Sequence, residues 1–164
     1  MNYHNITKAD MLNGDGVRVV LWVAGCSHHC QNCQNPETWD CDGGIPFDKS
    51  AMDEIITELN NDWCTGLTLS GGDPLHTKNR ETVFNVCSAI KELFPHKTIW
   101  CYTGYNWEEV KDLPIIKYVD VLVDGKFDIM KADIKYPWAG STNQRVIDVP
   151  KSLSERRIIL YAGD

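Results

Sequence analysis

The sequence lacks a long hydrophobic run. Its longest uninterrupted apolar stretch covers residues 19–24, whereas a helix that crosses a membrane needs about 20 apolar residues. The first five residues also lack the basic and then apolar order of a secretory signal peptide. These two absences argue against a membrane span or secretion and predict a cytoplasmic protein.

Basic residues are also in short supply. The 164 residues include 16 Lys and Arg against 23 Asp and Glu, which gives a net charge of −7 at pH 7. Nucleic-acid binding requires clustered Lys and Arg at the phosphates, so this balance argues against a nucleic-acid partner. The length, together with a hydrophobic content of 43%, predicts one folded domain that comprises residues 1–164.

Cysteine, by contrast, is abundant. The chain has 7 cysteines, an odd number, and without a secretion signal a disulfide framework is a poorer interpretation than a metal or redox site. Three of them, Cys26, Cys30 and Cys33, form a C-x3-C-x2-C motif. The scattered cysteines are typical of small buried apolar residues. They are Cys41, Cys64, Cys87 and Cys101.

Hydrophobic periodicity predicts strands that alternate with helices. The expected strands are residues 17–24, 66–70, 98–102, 119–123 and 158–161, and the expected helices are 50–61, 79–94 and about 107–112, with a loop over 127–145. Asp48 or Ser50 can cap the first helix. Such alternation predicts an α/β fold with a mostly parallel sheet. Because a complete TIM-type barrel needs about 250 residues, this chain would form a partial, open one.

Polar and glycine-containing segments follow the expected strands. The cysteine motif follows the first strand, and Gly71, Gly72 and Asp73 follow the second. Asp124 and Lys126 follow the fourth. Parallel α/β sheets bind their ligands at the carboxyl ends of the strands, so these segments are the candidate site.

Three cysteines at this spacing can bind an iron–sulfur cluster or zinc. A cubane cluster held by three thiolates leaves one iron without a protein ligand, and that iron can bind the amino and carboxylate groups of a small molecule. A structural zinc site needs a fourth ligand, which His28, His29 or Cys41 could supply. Each histidine taken singly is more typical of a solvent-exposed loop. Two interpretations therefore remain, an enzyme that carries an iron–sulfur cluster and a zinc-stabilised binding module without turnover.

The combination of motifs resembles the radical S-adenosylmethionine superfamily. That superfamily has C-x3-C-x2-C after the first strand, and the chain adds Gly-Gly-Asp-Pro after the second. Within the superfamily the chain is similar to the activating proteins of anaerobic ribonucleoside-triphosphate reductase. The matching segments are residues 13–18, 25–33, 69–75, 100–105, 123–126 and 140–145.

The resemblance implies a radical S-adenosylmethionine core fold in which Cys26, Cys30 and Cys33 bind a [4Fe-4S] cluster. S-adenosylmethionine would chelate the fourth iron and be cleaved reductively, and the resulting radical would take a hydrogen from a glycine of the reductase large subunit. A one-electron donor of unknown identity is also implied. Tyr105 and residues 143–145 would face the partner or pack locally. Activation of another glycyl radical enzyme, or a radical reaction on a small molecule, is the alternative.

The resemblance also implies where the cosubstrate lies. Backbone around Cys33 would contact it, the Gly-Gly-Asp segment would receive its amino group, and Asp124 with Lys126 would lie near its ribose and carboxylate. Related proteins often place an aromatic residue beside the third cysteine, so here adenine would be held by backbone hydrogen bonds or other apolar residues. No catalytic side chain beyond the cluster and cosubstrate is expected. The implied contact residues are Asn32, Cys33, Gln34, Gly71, Gly72, Asp73, Asp124 and Lys126.

Overall fold

A computed structural model describes residues 1–163, which form one mixed sheet with helices packed against it. The strands are β1 (Asn2–Asp10), β2 (Arg18–Val23), β3 (Ile45–Pro46), β4 (Gly66–Gly71), β5 (Thr98–Tyr102), β6 (Val121–Asp124) and β7 (Arg145–Asp148). The helices are α1 (Lys49–Leu59), α2 (Arg80–Leu93), α3 (Trp107–Val110) and α4 (Val149–Glu155). Within the described range, no helix is long and apolar enough to cross a membrane.

The sheet has the strand order β3-β1-β2-β4-β5-β6-β7. Its four central strands, β2, β4, β5 and β6, pair in parallel, while β1, β3 and β7 pair antiparallel at the two sides. Because β3 and β7 do not pair with each other, the sheet is open. The predicted α/β class and the open, mostly parallel sheet are confirmed. The assignment to a TIM-type barrel stays a prediction.

The core elements form where the hydrophobic pattern predicts them. Strand β2 lies in the middle of the sheet, and Val19, Leu21 and Val23 are fully buried there, as expected for a strand covered on both faces. Helix α1 begins after Asp48, whose carboxylate accepts a hydrogen bond from the Ala51 amide at 3.0 Å. Helix α2 buries its predicted apolar stripe against the sheet.

The polar edges of the sheet differ from the prediction. Strand β1 was not expected, because its sequence is mostly polar and only Tyr3 and Ile6 are buried. Strand β7 and helix α4 were not expected either. Residues 158–161, predicted as a strand, form only an isolated bridge between Leu160 and Ile147. The predicted loop over 127–145 is correct except for a short 3₁₀ turn and the first residue of β7.

Candidate metal centre

The four parallel strands end at one side of the sheet, which we call the carboxyl edge. It consists of the segments that directly follow β2, β4, β5 and β6. The cysteine motif lies in the first of these segments and the Gly-Gly-Asp motif in the second. The strands therefore bring together motifs that are about 40 and more residues apart in the sequence, as the parallel topology predicts.

The cysteine loop, residues 26–33, turns back on itself at two positions with left-handed backbone. These are His29, with φ of 47°, and Asn32, with φ of 55°. The Cys33 amide donates a hydrogen bond to the Cys30 carbonyl at 3.1 Å, which closes the second turn. Asn32, which was expected to contact the cosubstrate, is therefore a turn residue, and asparagine tolerates this backbone better than most residues.

The three motif cysteines differ from the scattered ones in exposure. Cys26, Cys30 and Cys33 are free thiols of intermediate exposure, and Cys41 shares this intermediate exposure. Three of the scattered cysteines are buried in the core, as the sequence predicts. These three are Cys64, Cys87 and Cys101. The motif thiols are therefore accessible to iron, whereas the core thiols are not.

Backbone amides donate to two of the three motif sulfurs, those of Cys26 and Cys33. The Asn35 amide donates to the Cys33 sulfur at 3.4 Å, and the amides of His28 and His29 do so at Cys26. Burial nevertheless raises the pKa of the Cys26 thiol to about 11. The thiol thus keeps its proton at neutral pH until a metal ion displaces it, since a coordinating thiol is deprotonated.

The donor set fits an iron–sulfur cluster. Within residues 1–163, no three His, Cys, Asp or Glu side chains already surround one position that could hold a single metal ion. In a cubane each thiolate binds a different iron, so the sulfurs need to surround a cluster and not one ion. Three free, half-exposed thiols on one loop supply the three ligands that such a cluster needs.

The two glycines before Asp73 are required by close backbone packing. Gly71 has a φ of 97°, and a Cβ there would lie 2.8 Å from the Val23 backbone. A Cβ at Gly72 would lie 2.6 Å from the carbonyl oxygen of Gly25, directly before the cysteine loop. The ends of β2 and β4 therefore approach more closely than any larger residue would permit.

Asp73 is buried, and its carboxylate is fully engaged. It accepts hydrogen bonds from Leu75 N at 2.8 Å, Thr103 Oγ1 at 2.9 Å, Gly104 N at 3.0 Å and His28 Nε2 at 2.7 Å. The expectation that His28 is a solvent-exposed loop residue is wrong, because its side chain is only 9% exposed. His29 is exposed, as expected.

A groove of about 600 Å³ lies between the cysteine loop and the ends of β5 and β6. Lys126 is exposed at this groove, which fits its predicted contact with the cosubstrate. The groove is lined by Ser27, His28, Gly104, Tyr105, Asn106, Glu109, Gly125, Lys126 and Asn143. Asn32 and Gln34 do not line it and are exposed to solvent.

Asp124 is buried next to the groove and does not line it. Its carboxylate accepts hydrogen bonds from Arg145 Nη2 at 2.5 Å and from the Trp107 amide at 2.6 Å. Arg145 also reaches Glu108 at 3.1 Å, and these hydrogen bonds raise the pKa of Arg145. Asp124 thus holds the start of α3 and the start of β7 together, so its own predicted contact would need to be indirect.

Residues 143–145 pack locally, which was one of the two roles left open by the sequence. While Arg145 binds Asp124, the Gln144 side chain donates to the Gly125 carbonyl at 3.0 Å and the Asn143 side chain to the Lys126 carbonyl at 2.8 Å. Three consecutive residues therefore bind three consecutive residues of the turn that presents Lys126. The sequence contains no signal for this pairing, because the partners lie 17 to 21 residues apart.

Comparison with known proteins agrees with this site. A family model described as a 4Fe-4S single cluster domain matches residues 12–147. The fold and the cysteine loop thus define a protein of the single-cluster iron–sulfur class. The chain is 45% identical, over 146 residues, to the anaerobic ribonucleoside-triphosphate reductase-activating protein of Enterobacteria phage T4, covering 89% of this chain and 93% of that protein.

Bacterial proteins with the same name are similar. Identity is 41% over 150 residues with the protein of Escherichia coli K12, covering 89% of this chain and 97% of the relative. It is 40% over 150 residues with that of Pasteurella multocida, covering 88% and 95%. The chain therefore belongs to the family of anaerobic ribonucleoside-triphosphate reductase-activating proteins.

Proposed function

We propose that this chain activates an anaerobic ribonucleoside-triphosphate reductase by generating a glycyl radical on it. The observation that carries the proposal is the cysteine loop: three free thiols at the carboxyl edge, in a chain that belongs to the activating-protein family. A [4Fe-4S] cluster held by these thiols would supply the electron for reductive cleavage of S-adenosylmethionine, and that chemistry would remove a hydrogen atom from a glycine of the reductase.

Cys26, Cys30 and Cys33 would hold the cluster. Three thiolates leave one iron without a protein ligand, which is the position for the amino and carboxylate groups of the cosubstrate. The amides of His28, His29 and Asn35 donate to the sulfurs of Cys26 and Cys33, and such donors stabilise negative charge on sulfur. The chain thus supplies ligands, amide donors and an open side for the cosubstrate.

The ends of β4 and β6 would hold the cosubstrate. Gly71 and Gly72 offer backbone without side chains for the positively charged amino group, and Lys126 offers a cation for the carboxylate. The carboxylates of Asp73 and Asp124 are already bound by protein donors. We therefore propose that these two aspartates fix the segments that touch the cosubstrate, rather than bind its polar groups directly.

The partner would reach the groove from its open side. The loop between Lys126 and Asn143 begins and ends at this groove. Two of its apolar side chains, Met130 and Ile134, are 88% and 102% exposed. Exposed apolar residues on a loop that begins and ends at a reactive site favour a protein substrate over a small molecule, because a protein can cover them. This supports the reductase as the substrate.

Anaerobic reconstitution tests the proposal. The protein is supplied with iron and sulfide, reduced, and mixed with S-adenosylmethionine and the reductase. We expect 5′-deoxyadenosine and a glycyl radical signal in electron paramagnetic resonance. A reductase whose radical-site glycine is replaced by alanine is the matched control and should abolish the radical signal. A colourless protein that binds one zinc and no iron would contradict the proposal and support the binding-module alternative.

A further inference from the structure

His28 connects the cysteine loop to the ends of two strands. It lies two residues after Cys26 and two before Cys30, and its Nε2 is 2.7 Å from the Asp73 carboxylate. The side chains of His28 and Asp73 are 9% and 1% exposed. A hydrogen bond between these two groups is therefore shielded from water, and its loss would leave polar groups unpaired.

The acceptor of this hydrogen bond is held in place without His28. Leu75 N, Thr103 Oγ1 and Gly104 N all donate to the Asp73 carboxylate, and they belong to segments at the ends of β4 and β5. These three donors hold the carboxylate independently of His28. His28 thus binds a fixed acceptor, which is the arrangement expected of an anchor.

The imidazole also has a fitted slot. A Cβ at Gly104 would lie 2.4 Å from Cδ2 of His28, so the ring occupies the space that a side chain at residue 104 would fill. Gly104 does not have the left-handed backbone that requires glycine elsewhere in the chain. The Tyr105 ring packs edge-on against His28 with ring centroids 4.7 Å apart. Residue 104 is therefore small because His28 is there.

We infer that His28 is a positioning residue for the iron–sulfur cluster. Through Asp73 it fixes the half of the loop that carries Cys26 and Cys30 against the ends of β4 and β5. The inference rests on the proposed cluster site. It assigns the carboxylate of Asp73 the role of holding His28, and through it the cysteine loop, in place. Residues that orient metal ligands typically contribute 10–100-fold to metal affinity or activity, so we expect about that effect on cluster retention.

The experiment measures how fast the reconstituted protein loses its cluster to an iron chelator under anaerobic conditions. We expect His28→Ala to lose visible cluster absorption about 10-fold faster than the native protein, or faster still. His28→Gln keeps an N–H donor at a similar reach and should recover part of the retention. His29→Asn is the matched control, since asparagine tolerates the left-handed backbone of residue 29, and His29 is exposed and packs on Trp39, with ring centroids 4.7 Å apart, rather than on Asp73.

Gly104→Ala distinguishes anchoring from general destabilisation. The added methyl group displaces the imidazole while His28 is still present, so Gly104→Ala should also speed cluster loss. Combined with His28→Ala it should add little, because the two changes break the same contact. Thermal unfolding of the metal-free variants shows whether each one folds.

Three outcomes would contradict either the anchoring role or the proposed function. Equal rates of cluster loss for folded His28→Ala and His29→Asn would overturn the anchoring role. Additive effects of His28→Ala and Gly104→Ala would overturn it too. A native protein that binds no cluster would instead contradict the proposed function.

Discussion

A fully buried charged side chain lies at each edge of the parallel strands, Asp73 at one and Arg18 at the other, and the two bind different kinds of partner. At the carboxyl edge, Asp73 accepts four hydrogen bonds, one of them from the cysteine loop. At the opposite, amino edge, Arg18 is 1% exposed, and its guanidinium donates to Thr68 Oγ1 at 2.7 Å and to the carbonyls of Leu67 and Thr98 at 2.9 Å.

The partners show what each charge does. Arg18 binds neutral oxygens of neighbouring strands and of the segment before β2, and its guanidinium lies 5.5 Å from the centre of the Trp100 ring. Burial lowers the pKa of Arg18 to about 10, so it stays charged at neutral pH. Arg18 joins neighbouring strands of the sheet to one another, whereas Asp73 joins the strand ends to the loop that would hold the cluster. The buried charge at the amino edge therefore stabilises the fold, and the one at the carboxyl edge positions the cysteine loop.

The largest effect should come from the motif cysteines. Replacing Cys26, Cys30 or Cys33 by Ala removes a ligand, and we expect complete loss of the cluster in iron analysis and absorption spectra. Cys101→Ala is the matched control, since this thiol is buried in the core. It should cost about 1–2 kcal/mol of stability and leave the iron content unchanged. An equal loss of iron in all four variants would show that the ligand assignment is wrong.

Arg18→Met tests the amino edge. The substitution removes the guanidinium donor from the carbonyls of Leu67 and Thr98, and a hydrogen bond from a charged donor contributes about 1.5–3 kcal/mol. We therefore expect the free energy of unfolding in urea to fall by about 2–4 kcal/mol. The folded fraction should retain its cluster as tightly as the native protein does. If Arg18→Met lost its cluster faster without a change in stability, the amino edge would also position the cluster, and the proposed difference between the edges would be wrong.

The same distinction explains how much of the fold could be predicted. Strand β2 and helices α1 and α2 are recognisable because burial imposes a period on their own residues. Strands β1 and β7 lie outside the parallel centre of the sheet, and β1 buries only Tyr3 and Ile6. Such strands form because a neighbouring strand supplies hydrogen-bond partners, and the local sequence does not show which strand that is.

The candidate site likewise has residues that the sequence predicts and residues that it does not. The cysteine spacing and the glycine-containing strand ends are local, so the sequence predicts where they lie. The His28–Asp73 bond spans 45 residues and the Arg145–Asp124 pair spans 21. Both depend on which strand ends become neighbours. The sequence therefore predicts the motif residues that would touch a cofactor, but not the residues that orient them.

Exposed apolar residues allow the two edges to be compared as docking surfaces. Met130 and Ile134 lie on the loop that begins and ends at the groove, while Met11 and Leu12 lie between β1 and β2, before the amino edge. Replacing Met130 and Ile134 together by Ser should slow glycyl radical formation on the reductase about 10-fold, the size of a modest interface contribution. Formation of 5′-deoxyadenosine without the reductase should be unchanged. The Met11→Ser/Leu12→Ser variant should behave as native in both assays, and an equal loss would place the docking surface elsewhere.

The smallest effect should come from the exposed end of the Arg145 network. The hydrogen bond from Arg145, 3.1 Å away, lowers the pKa of Glu108 below its usual value of 4.5. A carboxyl whose pKa is lowered by folding stabilises the native state when ionised, and this contribution disappears as the pH falls through the folded-state pKa. Glu108 is largely exposed, so the pair contributes less than about 1 kcal/mol.

Glu108→Gln should therefore lower the free energy of unfolding slightly at pH 7 and not at all once the pH has fallen below the lowered pKa of the native carboxyl. Added salt should also reduce the difference at pH 7, because exposed charges are screened. Arg145 keeps its hydrogen bonds to the buried Asp124 in this variant, so Lys126 and the groove should not move. A loss that is large, or equal at both pH values, would mean that Glu108 contributes through packing rather than charge.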